Sequence, residues 1–161
     1  MNKKTEETIE ILTQEEADKL LKYPKKAISA NDYNFPTAKT SKLKIPLKST
    51  DELYSFYLDI NRNKFNLYKI TYQNRFIKET VLARLDLNGP AHRNPDDSEV
   101  SGNHLHLYRE GFGDKFAIEL PQEFNGINTK DIEKILVAFL KYCNIINLPT
   151  FRYSLHTDGL I

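Results

Sequence analysis

Cysteine is almost absent from this chain: of 161 residues only Cys143 carries a thiol. An intramolecular disulfide is excluded, and a reducing, cytoplasmic location is expected, with Cys143 as a buried, inert thiol. Long apolar runs are missing too. The N-terminus, MNKKTEETIEIL, lacks the hydrophobic stretch of a signal peptide, and no window approaches the roughly 18 apolar residues of a membrane helix. No membrane partner is expected. Charge of one sign is also lacking, since 23 Lys and Arg stand against 22 Asp and Glu, which removes any whole-chain argument for nucleic acid. Nor is there a G-x-G-x-x-G, a P-loop, a C-x-x-C or a G-x-S-x-G string. Nucleotide hydrolysis, dithiol redox and serine-hydrolase chemistry therefore have no support, and no cofactor is called for.

What is present reads as one domain over 1–161, with a charged, frayed end at 1–12 and a loosely held tail at 147–161. Thr13-Gln14-Glu15-Glu16 is a capping box opening a helix toward Tyr23, and Pro24 ends it. Lys25 to Ser41 reads as a surface loop pinned by Phe35. From Lys42 the period changes to two. Leu43, Ile45 and Leu47 alternate with polar residues around Pro46, an edge-strand signature. Leu53 to Ile60, a turn at Asn61 to Asn63 and a return from Phe65 to Tyr72 predict a hairpin. Thr80 to Leu87 and His104 to Arg109 alternate likewise, and Lys115 to Leu120 follows a turn marked by Gly111 and Gly113. Asn128-Thr129 is expected to cap a last helix with Ile132, Ile135, Leu136, Phe139 and Leu140 on one stripe. The fold class is α+β: a mainly antiparallel sheet of five to six strands with an N-terminal and a C-terminal helix packed on it.

The chemistry is concentrated between Arg84 and Arg109. Alternation puts His104, His106 and Tyr108 on one face of a strand and Leu105 and Leu107 on the other. The loop from Asn88 to Gly102 brings His92 and Arg93 and is longer than a chain reversal needs. If the preceding strand is antiparallel, Arg84 and Asp86 join the histidine face. Metal-free RNA cleavage needs a base, an acid and a cation near the phosphorane, and this set supplies them. The candidate catalytic residues are His92, His104, His106 and Tyr108. The candidate phosphate contacts are Arg75, Arg84, Arg93 and Arg109, of which Arg109 falls on the opposite face unless a bulge intervenes. Local charge fits RNA: from Asn61 to Asn94, seven basic residues face only Glu79 and Asp86.

The strings Leu82-Ala83-Arg84-Leu85-Asp86, Gly89-Pro90-Ala91-His92 and His104-Leu105-His106-Leu107-Tyr108 resemble the R-x-D, G-x-x-H, H-x-H core of bacterial toxin ribonucleases of the broad barnase, EndoU, colicin and RelE-like group. Over most of its length the chain resembles an uncharacterised family of small proteins from Gram-positive bacteria and their phages, with Tyr72-Gln73-Asn74-Arg75, Asn94-Pro95-Asp96 and Tyr108-Arg109-Glu110-Gly111 as further matching strings. The resemblance implies a nucleic-acid substrate or partner and a role in phage and host conflict, as a toxin or an antagonist of defence; with the residue inventory above, the expectation is an RNA-directed protein of phage or mobile-element type, a toxin-like, metal-independent ribonuclease.

Two other readings stay open. In one, the chain is a non-catalytic anti-defence inhibitor, for example anti-CRISPR-like, holding RNA, a host protein or a ribonucleoprotein through basic hairpins and Tyr68, Tyr72 and Tyr108. In the other, His92, His104 and His106 bind a divalent metal, with Glu110 completing an H-x-H-x-x-x-E string. His156 and the acidic Asp96, Asp97 and Glu99 read as solvated surface.

Overall fold

The computed structural model describes residues 11–29 and 32–153; His156 and most of the expected frayed N-terminus lie outside them. The elements run in the order α1 (Gln14–Lys22), β1 (Lys25–Ala27), β2 (Tyr33–Asn34), β3 (Lys42–Ser49), β4 (Ser55–Arg62), β5 (Ile70–Phe76), β6 (Thr80–Leu87), β7 (His92–Arg93), β8 (Glu99–Val100), β9 (His104–Leu107), β10 (Ala117–Glu119), a 3₁₀ turn (Gln122–Phe124), α2 (Ile132–Tyr142) and β11 (Phe151–Arg152).

The architecture is α+β, built on one antiparallel sheet in the order β1-β3-β4-β5-β6-β9-β10. Its seven strands exceed the five or six expected, because the three-residue strands β1 and β10 are too short for any periodicity to reveal. Pro46 does not make β3 an edge along its whole length. β1 covers Leu47 to Ser49, and among the described residues Lys42 to Ile45 remain the open part of the strand. The hairpin return starts at Ile70, after a longer excursion in which Phe65 is exposed.

The Thr13 hydroxyl caps α1 by accepting from the Glu16 N–H at 3.1 Å, as its capping string predicts. The cap of α2 is Asp131, whose carboxylate accepts from the Lys134 N–H at 3.2 Å. Asn128 instead closes a turn by accepting from the Lys130 N–H. The stripe Ile135, Leu136, Phe139 and Leu140 is buried against the sheet. Phe139 stacks on Tyr72 at 5.9 Å between centroids, and truncating such a ring costs about 3–5 kcal/mol. Phe35 is buried and packs on Tyr72 and Tyr153. Within residues 147–153 the chain is better held than its composition suggests, since β11 pairs parallel with β2.

Lys25 joins the C-terminal ends of the two helices. Its buried ammonium donates to the carbonyls of Leu21 (2.7 Å), Tyr23 (2.9 Å) and Cys143 (2.8 Å), satisfying carbonyls that helix ends leave unpaired.

The two faces of the sheet divide the labour. Leu58, Ile60, Tyr72, Leu85 and Leu105 fill the core. On the other face, strand register aligns two polar rows. One runs Lys44, Asp59, Gln73, Arg84, His106, and the other Lys42, Asn61, Thr71, Asp86, His104. Among the described residues no helix is long and apolar enough to cross a membrane.

Candidate functional site

The histidines stand at the β9 end of these polar rows. His106 pairs directly with Arg84, and His104 with Asp86, so both imidazoles leave the strand on one face. The Asn88 to Gly102 excursion folds into the small β7–β8 hairpin, with His92 opposite Val100, and brings a third ring over the first two. Ring centroids are 4.5 Å apart for His92 and His106, 5.0 Å for His104 and His106, and 5.6 Å for His92 and His104. One ring nitrogen from each lies within 4.8 Å of the others.

Each ring is oriented by the backbone. His104 Nδ1 faces the Ser101 carbonyl at 3.1 Å, His106 Nδ1 the Asp114 carbonyl at 2.7 Å, and His92 Nε2 the Lys115 carbonyl at 2.8 Å. A carbonyl only accepts, so each of these nitrogens carries the hydrogen. The lone pairs then belong to Nε2 of His104, Nε2 of His106 and Nδ1 of His92.

Asp86 closes one side. Its Oδ2 lies 3.3 Å from His104 Nε2 and 3.2 Å from His106 Nε2, while Oδ1 accepts from the Thr71 hydroxyl at 3.1 Å. Burial pushes the Asp86 carboxyl up, but the contact with His106 and the charge of Arg84 together outweigh it and hold the group below its ordinary value. Arg84 is the resident cation. Its guanidinium lies 3.3 Å from Asp86, 3.1 Å from His106 Nε2, and pairs with the Asp114 carboxylate.

Two clefts meet at the cluster. One, of about 480 Å³, is lined by Asn61, Lys69, Thr71, Gln73, Asp86 and His104 among others. The other, of about 440 Å³, is lined by Arg93, Asn94, His106, Asp114 and Lys115 among others, and His92 and Arg84 border both. The His104 and His106 side chains are only 4% and 1% exposed, so they form the floor of these clefts.

Several expected site residues lie elsewhere. Tyr108 is a core residue: β9 ends at Leu107, alternation stops, and the hydroxyl donates to the Leu12 carbonyl at 2.7 Å while accepting the Leu12 N–H at 3.0 Å. Arg75 is held by Asp59 and the Lys78 carbonyl and lies over the Tyr57 ring. Arg109 stacks on Phe116 at 3.8 Å, away from the histidines. Arg93 borders the cluster but is paired with Glu99 and Asp97. Glu110 accepts from the Gln14 N–H at the start of α1, so H-x-H-x-x-x-E is not a ligand string here. Asp96 accepts from the Ser98 N–H and hydroxyl in a local turn.

Asn94 is a residue that pattern reading passed over. It is buried, and its side-chain amide pairs with the backbone of Ala117 as a strand would: Oδ1 accepts at 2.8 Å and Nδ2 donates at 3.0 Å. This clamp fixes the β7–β8 hairpin to β10 and so sets the height of His92 above the sheet. In the sequence it stands out only as the first residue of the Asn94-Pro95-Asp96 string, with no role attached.

No curated protein and no solved structure matches this chain. Residues 12–145 match the model of the family of unknown function DUF6978, and the chain belongs to that family.

Proposed function

We propose that this chain carries a three-histidine transition-metal centre at His92, His104 and His106, with zinc the best fit. One observation carries the reading: three imidazoles each commit an N–H to a backbone carbonyl, and one ring nitrogen from each lies within 4.8 Å of the others. Metal-ligating histidines are characteristically held this way, since the outer hydrogen bond fixes tautomer and ring orientation. Ligand-to-ligand edges in a tetrahedral zinc site are about 3.3 Å, given bonds of about 2.0–2.1 Å. The Asp86 contacts of 3.2 and 3.3 Å match such edges. The three histidine nitrogens lie within 4.8 Å of one another, a wider limit than such an edge, so binding would draw the rings together. Three neutral nitrogens and a carboxylate form a donor set suited to zinc rather than calcium or magnesium.

The test is metal uptake by the metal-free protein. One zinc per chain is expected, lost in His104→Ala and His106→Ala, and cobalt substitution should give the visible absorption of a low-coordinate nitrogen site. Retention of full stoichiometry in His104→Ala would refute the centre.

A metal-independent ribonuclease is the second reading, favoured by the Asp86 carboxylate facing two imidazoles beside Arg84. It requires an imidazole to touch the ribose 2′-hydroxyl directly, and rings that are 4% and 1% exposed suit that poorly. Labelled RNA incubated in EDTA separates the two. Cyclic-phosphate ends formed in chelator and lost in the histidine variants would favour the ribonuclease.

A further inference from the structure

We infer that the metal-loaded site binds a phosphodiester monoanion from single-stranded nucleic acid, with the phosphate held by Lys69 beside the metal centre; this rests on the metal reading above. Three observations lead there.

The first is charge. Arg84 and Lys69 offset the two carboxylates Asp86 and Asp114. A divalent ion then leaves the site with an excess of positive charge. A bound monoanion lowers that excess, and an uncompensated charge in so enclosed a place is costly. A phosphodiester carries one such charge.

The second is Lys69. It borders the same cleft as Asp86, His92 and His104, and among the described residues its ammonium engages no carboxylate. Its stem lies along Gly89, where an added Cβ would sit 3.3 Å from Lys69 Cε. A larger residue at position 89 would push the lysine away. The backbone thus leaves room for an uncommitted cation beside the histidines, where Arg84 and Arg93 are already paired.

The third is the cleft itself. Its volume of about 480 Å³ lies within the range of small-ligand sites, roughly 300–1,000 Å³, and is suited to one nucleotide. Asn61, Thr71 and Gln73 line it with uncharged donors and acceptors, and among the described residues Asp86 is its only carboxylate. Such a lining suits sugar and base edges rather than an acyl chain.

The experiment uses a fluorescein-labelled single-stranded RNA decamer and fluorescence anisotropy, with zinc stoichiometry measured on the same samples. Binding to the zinc-loaded protein is expected to weaken at least about tenfold in EDTA and about tenfold in Lys69→Met, with recovery in Lys69→Arg and one zinc retained in both variants. Competition identifies the source of the phosphodiester. Displacement only by unlabelled decamer points to a polymer, and equal displacement by the dinucleotide ApA points to a small ligand held by the same contact. RNA binding indifferent to zinc and to Lys69, or displaced equally well by acetate, overturns the inference while zinc uptake leaves the metal centre standing. Absence of zinc uptake overturns the reading beneath it.

Discussion

Arg84 and His106 face each other directly across the β6–β9 ladder, and the guanidinium Nη2 comes within 3.1 Å of the imidazole Nε2. The lone pair that a metal would use is therefore engaged by a cation of the chain itself. Metal and guanidinium compete for it, and their charges repel.

Arg84→Gln should accordingly tighten zinc binding by about tenfold, equivalent to about 1.4 kcal/mol. Competition against a chromophoric chelator measures it. Unchanged or weaker affinity would show that Arg84 supports the site instead of opposing the ion.

Asn94→Ala removes the paired contacts to Ala117 and leaves its backbone groups buried and unsatisfied, for a loss of about 2–3 kcal/mol. The hairpin then no longer holds His92 in place. Zinc affinity should fall by about 10–100-fold, as is typical when the support of a ligand is lost. Chemical denaturation and zinc titration on the same variant test both effects.

Tyr108→Phe should cost about 1–2 kcal/mol through loss of the hydroxyl bonds to Leu12, and should leave zinc affinity unchanged. A catalytic tyrosine would give the reverse, with intact stability and altered site chemistry.

The histidine face itself was legible in the chain. H-x-H in an alternating strand puts two rings on one side, and R-x-D in an antiparallel neighbour sets Arg84 and Asp86 across from them. What the pattern could not supply was the supporting shell, because the carbonyls of Ser101, Asp114 and Lys115 are backbone atoms common to every residue type. Tyr108 misled for a related reason. Alternation extrapolates past Leu107, but the chain turns there, and Arg109 bonds back to Gly113. Strand count failed where strands are three residues long, and the α2 cap was misplaced because Asn128 and Asp131 are equally good caps by type.

Burial pushes the Cys143 thiol up to about 12. The native protein should resist an aromatic disulfide reagent at pH 8 and react with one thiol per chain once denatured. Rapid labelling without denaturant would mean that the Cys143 region opens readily.

Burial holds the Lys25 ammonium at about 8, below its ordinary 10.5. The unfolded chain binds this proton more tightly than the folded one, so between about pH 8 and 10.5 this group makes stability rise with pH. Lys25→Met should abolish that rise. At neutral pH the variant strands three carbonyls, a loss of about 2–4 kcal/mol, read from denaturation midpoints across the pH series.

The half-covered β3 has a bearing on solubility. A long bare strand margin invites another molecule to dock on it, and fibrils grow from such margins. Here the uncovered stretch carries Lys42 and Lys44 and ends at Pro46, which has no N–H to offer an incoming chain, while the opposite margin is the three-residue β10 ending in Glu119. Both borders are poor templates, so concentrated solutions of this protein should remain free of lateral stacking.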